Sequence, residues 1–268
     1  MVDDPHRWPN IRNGILSKLA GPDFACIRPY LQPVALKERA MLQEFKKPIE
    51  HVYFIESGIV SLRTIGAGSM LETATVGSYG ADGALVALGT EVSMHRSIVL
   101  VAGSALRIDA DDLRRAMIER PAVRERLLHY IQALLIQCSQ TALCGVCHEL
   151  EQRLACWLSV ACDAIDGGVL PMTHDHLSII LGLRRAGLTE ALIRFKEQGL
   201  IRNYRGVLEV HERKRLREKA CGCYGVIAGA YQPARTPEVS DLGIGNDSHR
   251  VTHGPANPVT HRSSIKSH

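Results

Sequence analysis

Hydrophobic and polar positions change their spacing twice along this chain. Between Val34 and about Asp109 they fall into short runs separated by glycines. Residues 51–55 are followed by Glu56-Ser57-Gly58 and then by residues 59–65. Gly66-Ala67-Gly68-Ser69 turns into residues 70–76, and residues 98–102 and 105–108 flank Gly103-Ser104. Runs this short and this regularly punctuated predict an antiparallel roll or jelly roll, closed so that few edges stay exposed. Ahead of it, Ile11, Ile15, Leu16 and Leu19 predict one short helix ended by Gly21-Pro22. After Asp109 the period becomes helical. Asp111 and Asp112 stand where a helix dipole favours acids, and Pro121 restarts the pattern. From Pro121 to about Gly145, Leu127, Ile131, Leu134, Cys138 and Thr141 recur at four and three, with Leu128, Leu135 and Ala142 alongside. So long and wide a stripe predicts a helical seam between two copies of the chain. Residues 148–166 predict another helix, with Leu150, Leu154, Trp157, Leu158 and Ala161 inward.

The stretch from Leu170 to His211 carries the most specific pattern. Pro171 and Thr173 open a short helix, Thr173 as an N-cap whose hydroxyl takes an orphan backbone N–H. Leu177, Ile180 and Leu181 make its apolar side, and Gly182 turns the chain. A second helix follows with Leu188, Leu192 and Phe195 at spacings of four and three, stopped by Gly199. Two helices joined by a short glycine turn predict a helix-turn-helix, whose second helix enters the major groove. Residues 200–204 and 207–211 alternate around Arg205-Gly206 as a two-stranded wing. With Leu188, Leu192 and Phe195 inward, Arg184, Arg185, Thr189 and Lys196 lie outside or on the flanks. Arg184, Thr173 and His174 stand near helix N-termini, where phosphates bind.

Charge adds location rather than magnitude. The 268 residues carry a net +4, and the basic ones cluster between Arg184 and Lys219. No stretch reads as the ~18 apolar residues of a membrane span, and the first residues lack an apolar signal core, so a cytoplasmic protein without a membrane partner is expected. The 8 cysteines are then expected as thiols. Cys144-Gly145-Val146-Cys147-His148 has the spacing of covalent haem attachment, but such attachment follows export. With Cys221 or Cys223 these residues would complete a zinc tetrahedron; the simpler reading, small residues packed along helices, leaves the chain without a metal or cofactor. No nucleophile with a partnered base, no P-loop and no paired carboxylates are found, so an enzyme is not expected. Residues 233–268 are rich in Gly, Pro, Ser, Thr, His and Asn without an apolar period, and a disordered tail from residue 226 onward is predicted.

This order of parts resembles the Crp/Fnr family of bacterial transcription regulators over about residues 30–223. Tyr53-Phe54-Ile55, Gly58 and Val60 carry the likeness in the roll. Residues 182–201 and the wing carry it in the C-terminal half, and Glu151–Leu154 and residues 221–225 look like a subgroup in which the effector is often undefined. The resemblance implies an α+β chain: a lead-in over 1–33, a cyclic-nucleotide-binding-like β-roll over 34–120, a dimerisation helix over 121–147 and a winged helix-turn-helix over 148–225. It implies a homodimer on an inverted repeat of double-stranded DNA, with the roll as sensor and RNA polymerase as partner if the protein activates. By the family's pattern Arg185 takes the position of the guanine-reading arginine, while Ala186 and Glu190 replace a glutamate and an arginine. The preferred site should differ accordingly. Arg96-Ser97 matches the pair that holds a cyclic phosphate, with Gly80 and Asp82 in the preceding loop, but the family's Gly-Glu pair is missing. Cyclic-nucleotide binding is therefore not expected. The alternative function is a metabolite- or nucleotide-binding protein whose C-terminal domain contacts protein rather than DNA.

Overall fold

The computed structural model describes residues 11–66 and 68–232. Its first half is a roll built on two long strands. β3 (His51–Gly66) and β6 (Arg96–Asp109) pair antiparallel along almost their whole length, and β1 (Gln32–Leu36) and β4 (Ser69–Val76) flank them in the order β1-β6-β3-β4. The short strands β2 (Met41–Gln43) and β5 (Ala81–Asp82) pair with β6 and β3 respectively.

Where the glycine spacing predicts two hairpins, around Gly58 and around Gly103, the strands run straight through. The two glycines lie where β3 and β6 cross at a run of bulges. Gly58 has φ 90°, and a Cβ there would stand 2.5 Å from the Val101 carbonyl oxygen; one on Gly103 would stand 2.1 Å from that of Ser57. Glycine marks a close backbone approach here rather than a turn. Gly66 and Gly68 do sit at the β3–β4 hairpin.

The N-terminal expectation is corrected as well. Leu16–Lys18 forms one 3-10 turn, and Gly21-Pro22 starts helix α1 (Gly21–Ile27) instead of ending one. Proline fits the first helical turn because its missing N–H would be unpaired there anyway. Asn13 is fully buried; its amide donates to the carbonyls of Ile55 and Gly80, and its oxygen accepts from the N–H groups of Ile15 and Leu16.

Helix α2 (Ala110–Glu119) leads to the 27-residue α3 (Pro121–Cys147). The predicted stripe divides here. Leu127, Ile131 and Leu134 are buried in the chain's own roll core, so that row does not serve a second copy. The neighbouring row of Leu128, Leu135, Ala142 and Val146 is half-buried to exposed, with Leu135 61% and Val146 87% exposed. By length and composition alone α3 is apolar enough to cross a membrane, contrary to the sequence expectation, yet its inner row is packed on the roll.

Helix α4 (Leu150–Ile165) is opened by a reciprocal capping box between Glu149 and Gln152. The strand β7 (Val169–Leu170), helices α5 (His174–Leu181) and α6 (Arg185–Glu197), and strands β8 (Ile201–Tyr204) and β9 (Val207–Val210) follow, with sheet order β7-β9-β8. Helices α7 (Arg213–Lys219) and α8 (Cys223–Tyr231) close the described chain. Residues 226–231 are therefore helical, packed on α3 and α4, and not the start of a tail. The rest of the predicted tail and residues 1–10 lie outside the described residues. The second apolar core joins α4–α7 and the wing to Ile59, Leu100 and Val101 of the roll, so the two halves share buried surface.

Candidate nucleic-acid interface

The helix-turn-helix is set by local chemistry in the predicted way. The Thr173 hydroxyl accepts the His176 N–H at 3.3 Å. Gly182 takes φ 60°, the left-handed turn that ends α5. Leu188, Ala191, Leu192 and Phe195 are buried under α6, and Arg153 of α4 donates to the Leu181 carbonyl at 2.6 Å, fastening the turn from below. Gly187, which would weaken an isolated helix by ~1 kcal/mol, lets α6 approach Leu150, whose methyl would lie 3.1 Å from an added Cβ.

This packing leaves Arg184, Arg185, Ala186, Glu190 and Lys196 exposed on α6, with Thr189 half-buried at its flank. Arg185 Nε lies 3.0 Å from Asp175 Oδ1 at the start of α5, both side chains more than half exposed. Glu190 faces Arg194 at 3.9 Å, and Arg194 also pairs with Glu151 of α4. Thr173 is exposed, but its hydroxyl serves the cap. His174 is half-buried between two elements: Nδ1 stands 3.4 Å from Thr189 Oγ1 and Nε2 2.5 Å from Asn203 Nδ2. It joins α5, α6 and the wing, a placement that sets α6 against the wing. Sequence reasoning passed over Arg202 and Arg205, both exposed on the wing. The signal was there in the arginines beside the Arg205-Gly206 turn.

Of the four residues expected around an effector, Ser97 and Asp82 meet, while Arg96 is engaged elsewhere. Ser97 Oγ donates to Asp82 Oδ1 at 2.6 Å in the roll interior, where burial lifts the Asp82 carboxyl to about 6. Neighbours on a strand point to opposite faces, and the Arg96 guanidinium is turned to Glu44, which it grips with Nε at 2.9 Å and Nη2 at 3.0 Å. Gly80 backs onto the ring of Tyr130, where an added Cβ would lie 2.5 Å from the ring. An arginine already neutralised by a carboxylate and a serine already bonded to an acid do not fit a cyclic phosphate.

A polar contact that the sequence did not announce joins roll to winged half. Glu72 of β4 is fully buried, and its carboxylate accepts from Thr75 Oγ1 at 2.8 Å, Trp157 Nε1 of α4 at 2.6 Å and the Ser61 hydroxyl. Burial drives its carboxyl above the ordinary range against the pull of these donors. Beside it, Ser78 N donates to the Ala164 carbonyl at 3.2 Å, and Gly77 leaves no room for a Cβ, which would stand 2.3 Å from that same oxygen.

Residues 152–219 match the family described as the Crp-like helix-turn-helix domain. Among solved structures, FixK2 from Bradyrhizobium japonicum is similar with a TM-score of 0.59 and 15% identity, covering 72% of this chain and 98% of that one. A putative regulator of the Crp/Fnr family from Eubacterium rectale gives 0.59 and 15%, covering 78% and 99%. CLP from Xanthomonas campestris, a regulator described as responsive to c-di-GMP, gives 0.57 and 14%, covering 72% and 99%. At these identities the likeness establishes the fold. No curated protein matches the chain.

Proposed function

As a Crp/Fnr-type transcription regulator with a helix-turn-helix DNA-binding domain, this chain acts, we propose, as a cytoplasmic homodimer on an inverted repeat, with the β-roll as its sensor half. The observation that carries the DNA-reading part is the N-terminal end of α6. Arg184 and Arg185 stand exposed there at the tip of a helix whose other face is fully packed, with exposed Arg202 and Arg205 on the wing beside it. A recognition helix docks with its N-terminal residues on base edges. A basic tip and a basic wing supply the phosphate contacts that fix register.

Dimerisation rests on the outer row of α3, which is exposed from Leu135 onward, while Leu128 packs partly on the roll core. Leu128, Leu135, Ala142 and Val146 follow one another at seven, seven and four, the spacing of a two-chain helical seam. Two winged heads related by a two-fold axis would face half-sites about one helical turn apart. RNA polymerase is a partner if the protein activates.

The sensor reading rests on the continuity of core and hydrogen bonding from β4 to α4 through Glu72 and Trp157. A ligand shifts such a protein only by binding one placement of the heads better than the other. Cyclic AMP is not the expected ligand, since Arg96 and Ser97 are already engaged by Glu44 and Asp82. Calorimetric titration with cyclic AMP should show no binding.

Fluorescence anisotropy with a labelled duplex across a salt series tests the DNA reading. Contacts to several phosphates give a steep negative slope of log affinity against log salt, and each lysine or arginine removed from a phosphate contact lowers that slope by about one. Arg205→Ala should flatten the slope. A shallow slope in the unaltered protein would favour protein contact through this domain instead.

A further inference from the structure

We propose that Cys144, His148, Cys221 and Cys223 form a structural zinc site that fastens α8 to the end of α3. The four residues come from three places in the chain: the last turn of α3, the residue that caps it, and the short link between α7 and α8 together with the first residue of α8. Their ligand atoms all lie within 4.8 Å of one another. Cys144 Sγ stands 3.4 Å from Cys221 Sγ, and Cys223 Sγ stands 3.6 Å from His148 Nδ1. With zinc–sulfur bonds of about 2.3 Å and zinc–nitrogen bonds of about 2.0–2.1 Å, tetrahedral ligands stand about 3.5–3.8 Å apart. These two pairs already stand at about tetrahedral spacing, and no pair among the four would have to close by more than about 1 Å to take the ion.

The surroundings support a closed site rather than a reactive one. Cys144, Cys221 and Cys223 are buried and His148 half-buried. The small core around them has Cys144, Cys156, Val160, Cys221, Cys223 and Ile227 as buried members, so four of its six buried side chains are thiols. Three sulfurs and one imidazole are the donor set of structural zinc, with no position left for water or substrate. Binding releases the three thiol protons to solvent, leaves every sulfur in its reduced state, and gives a centre of net charge −1. Cys147, which the Cys-x-x-Cys-His spacing would enlist, is exposed and stands outside the cluster. Cys156 packs against the cluster from α4.

The site lies where α3 hands over to α4, so an ion there braces the joint between the long helix and the winged half. It does not depend on the DNA reading, and its test does not use DNA. Full-length protein purified under reducing conditions without chelator should carry about one zinc per chain by elemental analysis. Replacement by cobalt should give the intense visible bands of a tetrahedral ion together with strong thiolate charge transfer in the near ultraviolet. Cys223→Ser and His148→Ala should lose most of the bound metal, while Cys147→Ser should keep it at about one per chain. Because the wild-type cobalt spectrum itself reports tetrahedral, thiolate-rich ligation, the proposal stays testable even where a variant fails to fold. Reduced wild-type protein that holds no zinc and takes up no cobalt would overturn it. So would a Cys144–Cys221 disulfide found by mass in metal-free, freshly purified protein, or undiminished metal in a Cys221→Ser, Cys223→Ser double variant.

Discussion

The Arg185 guanidinium lies 3.0 Å from Asp175, with 70% of one side chain and 56% of the other open to solvent. An exposed pair of this kind contributes about 0–1 kcal/mol, so DNA can take the arginine from it at little cost. A bidentate arginine on guanine discriminates by about 1–3 kcal/mol. Arg185→Ala should therefore lose that much at one base of each half-site and leave other positions unchanged, as read by competition with single-base variants of the site. A uniform loss would make it a phosphate contact. Asp82 carries a second prediction at this scale. Its carboxyl is raised to about 6 by burial from a value near 4 in the unfolded chain. Between those limits the folded state holds the extra proton, so stability falls as pH rises from about 4 to about 6 and is flat above, by at most about 3 kcal/mol. Asp82→Asn should remove that slope and be neutral or stabilising at pH 7 in chemical denaturation, provided Ser97 keeps its partner. Neither property of these side chains could be read from spacing. The ion pair joins residues on successive helices, and the raised carboxyl exists only because the roll closes over it.

At the scale of elements, legibility followed whether a structure is written in neighbouring residues. Helices α5 and α6 and the wing were legible because cap, glycine turn and apolar period all act within a few residues of one another. β3 and β6 were not, because Gly58 and Gly103 answer to each other across the sheet, and a glycine needed for close approach looks like one needed for a turn. Helix α8 was hidden by Gly222, Gly225 and Gly229, which give residues 222–231 the texture of a loop. The zinc ligands were legible but for one: the spacing pointed to Cys144, His148 and one of Cys221 and Cys223, yet it enlisted Cys147, which the end of α3 leaves exposed, in place of the second C-terminal cysteine. Gly58→Ala and Gly103→Ala should each destabilise by about 1–3 kcal/mol or more, since positive φ in one case and a backbone collision in both must be relieved. Trp157→Phe takes from buried Glu72 one of its three donors. A buried hydrogen bond contributes about 0.5–1.5 kcal/mol, and more to a charged group, so thermal melting should show a lower midpoint while the shared second core still joins the winged half to the roll.

Across the whole molecule, the roll, the long helix and the winged half are one folded body with a shared second core. The outer row of α3 is left over, with Leu135 and Val146 as its most exposed apolar members. A charge placed at Leu135 would stand largely in solvent. Leu135→Glu should leave the monomer folded by circular dichroism, shift sedimentation from dimer to monomer, and weaken binding to a two-half-site duplex far more than to a single half-site. The central claim, a symmetric reader of DNA, is met most directly by selecting bound sites from a random duplex pool with the purified full-length protein. An enriched inverted repeat with half-site centres about one helical turn apart is the predicted result. Enrichment of no sequence at all, from protein shown to be folded and dimeric, would contradict it.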